Sequence, residues 1–182
     1  MTVSQITRCG VAVALLAVSA AISLPVGPVP FTLQTLVVVL LPIALGGGDA
    51  VRSVAVYLLM GALGLPVFSG FTGGVDHLLG PTGGFLWGFL LGMCTAAALL
   101  RIQPLPERAR ETLAAAVLLV IPYATGTLQL MTLLGVSMPA ALATAVTPFL
   151  IPDLIKAAVG LSVGRSVRGA LSSSRTGSFS AR

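Results

Sequence analysis

With 182 residues, 56% of them hydrophobic, and only 10 basic and 5 acidic side chains, the chain is charged at 8% of its positions, against about 25% in soluble domains. That composition and a mean hydropathy of +1.04 exclude an ordinary water-soluble globule and describe several bilayer-spanning helices. Five carboxylates, one His and two distant cysteines, Cys9 and Cys94, exclude a four-ligand metal site at any recognised spacing and a disulfide framework.

In chain order, apolar stretches fall at 9–24, 31–46, 50–68, 83–100 and 113–136, with a last one that ends near Val167. They predict an all-α integral membrane protein with six transmembrane helices. The first two are shorter than the roughly 20 residues a crossing helix needs, so a re-entrant pair is the alternative, and charge decides. Six crossings place all nine arginines on one side: Arg8, Arg52, Arg101, Arg108, Arg110, Arg165, Arg168, Arg175 and Arg182. The opposite loops hold no Lys or Arg. Positive loops stay inside, so both termini are expected to be cytoplasmic. The arginines never interleave with aromatics on a polar surface, which argues against nucleic acid as a partner.

The first stretch also has the outline of a signal peptide, but cleavage would remove a helix with a pattern of its own. Gly10, Ala14, Ala17 and Ala21 form a stripe of small residues, which permits close helix approach in lipid, either within this protein or against another. The first outer loop is stiffened by Pro25, Pro28 and Pro30 into a short lid. In the second, 61–84, eight glycines point to irregular backbone lining a pocket open to the outside. Neither glycine cluster has the spacing of a nucleotide loop, so the protein cannot burn ATP by itself. The loop at 103–111 and a Ser/Arg/Gly-rich tail at 172–182 read as solvated cytoplasmic ends, the tail as disordered. This leaves 1–171 as one membrane domain.

The strongest signal is Asp153 and Lys156, three residues apart on one face of the last helix. Pro148 and Pro152 predict that the stretch from Pro139 is a separate short segment and that the last crossing begins close to Asp153. Counting back from Arg165 at 1.5 Å per residue puts Asp153 roughly 18 Å above the inner boundary, near mid-membrane. Ionisable residues there mark a functional site by default; the alternative is a mutual ion pair that pins helix packing. A urea-like head group suits both side chains. Asp76 and His77 are weaker candidates, and Trp87 and Tyr123 could form an aromatic wall.

Four ordered motifs, 28–35, 61–68, 80–84 and 148–156, resemble the BioY family, the biotin-binding S components of energy-coupling factor (ECF) transporters. The resemblance runs from about Gly10 to Arg165. It implies a six-helix membrane protein of a prokaryotic cytoplasmic membrane that captures biotin, as transported ligand and not as cofactor, at its extracellular side. Asp153 and Lys156 match family residues that contact the vitamin. Phe31, Thr32, Gln34, Gly80, Thr82, Gly83, Gly84 and Tyr123 are expected to complete the site. The Gly10, Ala14, Ala17 and Ala21 face resembles the docking surface for a transmembrane T component, which works with two cytoplasmic ATP-binding subunits. The chain departs from the family at Phe85, where Tyr is frequent, and at Gln129, where an aromatic is common; both are expected to alter pocket polarity. The rival readings are the same architecture holding another vitamin and an intramembrane enzyme using Lys156, for which no His or carboxylate dyad is at hand.

Overall fold

A reciprocal cap starts the first helix, α1 (Val3–Ala21): the Thr2 hydroxyl accepts from the Gln5 amide while the Gln5 side chain accepts from the Thr2 amide. The computed structural model describes residues 2–25 and 27–177. After α1 come strands β1 (Ser23–Leu24) and β2 (Phe31–Thr32), then α2 (Gln34–Leu45), α3 (Gly47–Ala62), α4 (Val75–Leu79), α5 (Gly83–Leu99), α6 (Glu107–Leu134), α7 (Met138–Ala145) and α8 (Thr147–Gly177). Among the described residues, three helices are long and apolar enough to cross a membrane: α1, α6 and α8 up to Ser173. The helices α2 and α5 are apolar but shorter.

The boundaries depart from the hydropathy pattern where backbone chemistry outranks it. The third apolar stretch runs to Phe68, but α3 stops at Ala62, because Gly64 takes a φ of 93° and Pro66 follows. The expected first loop lid is a small antiparallel ribbon, with Ser23 opposite Thr32 and Leu24 opposite Phe31. The outer loop at 61–84 contains the short helix α4, and the charged half of the loop at 103–111 is already the first turn of α6. The last helix is the main correction: it begins at Thr147, not beside Asp153, with Pro152 inside it. Pro148 falls in its first turn, where no amide donor is needed, and Pro152 leaves the Pro148 carbonyl without an intrahelical partner. As expected, α7 is a separate short helix. At the other end α8 continues to Gly177, so 172–177 is helical; 178–182 lies outside the described residues.

Close packing depends on glycine at two seams. On α8, a Cβ at Gly160 would stand 2.6 Å from the Leu36 carbonyl oxygen and one at Gly164 2.9 Å from the Ile43 Cβ, so α2 lies directly against α8. On α5, Gly84 and Gly88 meet the backbone of α6 at Thr125, Gly126 and Pro122. The Thr125 hydroxyl donates across this seam to the Gly84 carbonyl at 2.7 Å. The interior between the helices holds Leu16, Val38, Leu41, Tyr57, Met93 and Leu118. The outward faces are apolar too, with Val18, Val120, Leu128, Ile151 and Ile155 each more than half exposed. A surface of that kind fits lipid, not water.

One buried carboxylate ties α6 to α8. Glu111, 1% exposed, accepts from Arg165 at 2.6 Å and pairs with Arg168 at 2.8 Å, while Arg168 also reaches Glu107 at 3.1 Å. Glu111→Gln is expected to lower stability in detergent by about 1 to 3 kcal/mol, since charged hydrogen bonds are lost. An unchanged thermal midpoint would show that the network is not what holds this end.

Candidate functional site

At the end of the bundle away from that network, the β1–β2 ribbon, the segment 68–82 and α5 to α8 enclose a cavity of about 470 Å³. That is within the usual range for small-ligand sites, about 300 to 1,000 Å³. One part of the wall is apolar: Phe85, Leu86, Phe89, Leu118, Leu119 and Pro122. Hydroxyls and amides dot the rest, among them Ser23, Thr32, Gln34, Thr35, Ser69, Thr72 and Thr82.

The charged centre comes from α8. Asp153 and Lys156 are each 7% exposed and both line the cavity, while Ile151, Leu154 and Ile155 between and beside them are exposed. The helix therefore turns its ionisable face to the protein interior and its apolar face outward, as the price of an unpaired charge in lipid requires. Lys156 Nζ donates to Asp153 Oδ1 at 2.7 Å and to the Thr32 carbonyl at 2.7 Å, and it stands 3.6 Å from the centroid of the Phe31 ring. Phe31 in turn stacks on Phe149. The second carboxylate oxygen, Oδ2, accepts from the Tyr123 hydroxyl at 2.6 Å.

Lys156 has three donors and a carboxylate roughly four acceptor sites. The ammonium is thus fully surrounded by a carboxylate, a carbonyl and an aromatic face, whereas Asp153 keeps about two lone pairs open on the cavity side. Such a centre can receive paired N–H donors and, by exchanging the Thr32 carbonyl, give a donor to a ligand carbonyl. It also pins the ribbon, since both Phe31 and Thr32 lean on Lys156. The packing role of the ion pair and its availability to a ligand coexist.

The BioY family model matches residues 1–173. The chain belongs to the BioY family. A relative described as a probable biotin transporter BioY, from Pyrococcus horikoshii, is 34% identical over 169 residues, which cover 93% of this chain and 99% of that one. The biotin transporter BioY2 of Lactococcus lactis subsp. cremoris is 35% identical, covering 92% of each chain. A crystal structure of the S component for biotin from an ECF-type ABC transporter superposes with a TM-score of 0.83 at 24% identity, over 93% of this chain and 95% of that one; the fold is shared.

For this BioY-family chain, the residues expected at the site divide into three groups. Asp153, Lys156, Thr32, Gln34, Thr82 and Tyr123 line the cavity, and Phe31 packs against Lys156 at its edge. Gly80, Gly83 and Gly84 do not line it. Gly80 presents its carbonyl to Gln129 Nε2 at 2.7 Å; a Cβ on Gly83 would collide with the Leu78 carbonyl and one on Gly84 with that of Thr125. These glycines let α4, α5 and α6 approach and so carry Thr82 and Phe85 to the wall. Of the family departures, Phe85 lines the cavity, but Gln129 does not alter its polarity: it clamps the Leu78 and Gly80 carbonyls.

His77 lines the cavity with its ring edge-on to Phe68, while Asp76 is exposed and takes no part. Trp87 is no cavity wall; its indole donates to the Leu78 carbonyl from the outer face. Gln34 is fixed by donating to Tyr57, whose hydroxyl donates to the Val67 carbonyl. Sequence reasoning missed Ser69, Thr72, Phe89, Leu118, Leu119 and Phe149. The first two sit in the glycine-rich loop and Phe149 inside the 148–156 motif, so position was a usable signal for them. The apolar residues of α5 and α6 have the same pattern as any packed helix face.

Proposed function

We propose that this chain is a non-enzymatic biotin-capturing subunit, the S component of an ATP-driven ECF importer, in the cytoplasmic membrane of a prokaryote. The observation that carries the reading is the buried Asp153–Lys156 pair on the wall of a cavity of small-ligand size. The ureido N–H groups of biotin donate to Asp153, Lys156 donates to the ureido oxygen, and the valeryl chain lies along Phe85, Leu86, Phe89 and Leu118. The ribbon that bears Phe31 and Thr32 acts as lid, because ligand and Thr32 compete for the same ammonium.

The segment 1–171 makes six crossings with both termini inside, and 172–182 is a cytoplasmic tail. The arginine distribution supports this orientation, which leaves the cavity facing outward. A transmembrane T component docks on the small-residue face of α1, where Gly10 and Ala14 are exposed and Ala17 and Ala21 half-buried, and two cytoplasmic ATP-binding subunits supply the energy. Turnover is not part of the reading: the Lys156 ammonium is engaged by the Asp153 carboxylate and the Thr32 carbonyl, as a binding group and not as a free amine.

Mass spectrometry of ligand co-purifying with the protein, with competition by thiamine and riboflavin, tests the ligand class. Biotin is expected, unchanged after incubation and displaced by neither competitor; retention of another vitamin would replace it. Tyr123→Phe is expected to weaken biotin retention about tenfold or more, as a charged hydrogen bond that orients Asp153 is lost. Equilibrium binding measures this, and equal affinity would remove Tyr123 from the site.

A further inference from the structure

Opposite the ligand cavity, the ends of α1, α2, α5, α6 and α8 enclose a second hollow of about 540 Å³. Its apolar surface includes Pro42, Ile43, Leu45 and Leu100, and four arginines line it: Arg8, Arg101, Arg110 and Arg168. The two carboxylates there, Glu107 and Glu111, are engaged by Arg165 and Arg168. Arg110 gives one terminal nitrogen to the Leu100 carbonyl at 2.9 Å, while its Nε is buried without an acceptor. Arg8 and Arg101 have no acidic partner among the described residues. Three guanidinium groups therefore line one hollow without an acidic partner, and the four arginines that line it, together with Arg165, exceed its two glutamates by three.

Guanidinium forks match phosphate oxygens in pairs. A hydrated phosphate alone would leave the apolar surface uncovered, whereas an amphiphile satisfies both at once. Basic hollows between helices at the end of a membrane bundle are suited to anionic headgroups. We propose that this hollow binds the phosphate of an anionic phospholipid, with Arg8, Arg101 and Arg110 around the headgroup and an acyl chain along the Pro42, Ile43 and Leu45 surface. The site is separate from the ligand cavity and does not depend on which vitamin that cavity takes.

Native mass spectrometry of the full chain, released from nanodiscs of phosphatidylglycerol mixed equally with phosphatidylcholine, tests this. One retained phosphatidylglycerol is expected, favoured about tenfold over phosphatidylcholine, and the preference should vanish in Arg8→Gln/Arg101→Gln, since each arginine adds attraction for anionic lipid. Biotin retention by that variant should equal the parent's, which shows that it is folded. Equal retention of both lipids by the parent, or a preference that survives the double substitution, overturns the proposal. Displacement of the lipid by millimolar inorganic phosphate identifies the free anion as occupant and overturns the lipid assignment.

Discussion

Asp153→Asn and Lys156→Met are each expected to weaken biotin binding by about thirtyfold or more, the effect of truncating one partner of a buried, hydrogen-bonded charge pair. In Asp153→Asn the Tyr123 hydroxyl and Lys156 Nζ, 2.6 and 2.7 Å from the carboxylate oxygens, lose an anionic acceptor, and incoming N–H donors lose theirs. In Lys156→Met the carboxylate remains buried with only Tyr123 to answer it, and Phe31 and Thr32 lose the cation that draws the ribbon down. Each single variant is therefore also expected to unfold at a lower temperature. The double variant separates grip from packing: removing both charges is expected to recover part of the stability and none of the binding. Parent-like affinity in the double variant would make the pair a packing device only.

Gly88→Leu is expected to cost about 3 kcal/mol or more of stability and most of the folded yield, at the upper end of overpacking penalties. A Cβ there meets the Pro122 Cα and the Thr125 hydroxyl, with the Pro122 nitrogen at 3.0 Å. These are mostly backbone atoms, so no rotamer change relieves the clash and α5 must leave α6. Separation would also break the Thr125 to Gly84 hydrogen bond and spread the wall formed by Phe85, Phe89, Leu118 and Leu119. Gly10→Leu is the contrast, because a Cβ at Gly10 meets nothing within 4 Å; its thermal midpoint should match the parent's while coupling to a T component falls. Equal midpoints for Gly88→Leu and the parent would contradict the seam.

The sequence was most legible where an energetic cost forces a single solution. A carboxylate and an ammonium at i and i+3 in an apolar helix have to face inward, and Asp153 and Lys156 do so without any further information. Small residues were visible as a stripe on α1, but the glycines that bind α8 to α2 and α5 to α6 were not, because a lone Gly in an apolar run is silent until its neighbour is known. Gly83 and Gly84 illustrate the difficulty: their motif lies at the site, yet their work is to admit the α4 and α6 backbones and carry Thr82 and Phe85 to the wall. Helix ends failed where hydropathy continued past a backbone stop, as at Gly64, or where Pro152 read as a boundary although α8 absorbs it five residues after Thr147. The ion network at Glu111 was hidden because its partners are 54 and 57 positions away in sequence, and only the fold brings them together.

A structure determined with biotin bound decides whether the Asp153–Lys156 pair grips the ligand itself. Ureido nitrogens are expected within about 3 Å of the Asp153 carboxylate, with Lys156 Nζ turned from the Thr32 carbonyl toward the ureido oxygen. Biotin bound elsewhere, with the ion pair unchanged and out of its reach, would contradict that grip.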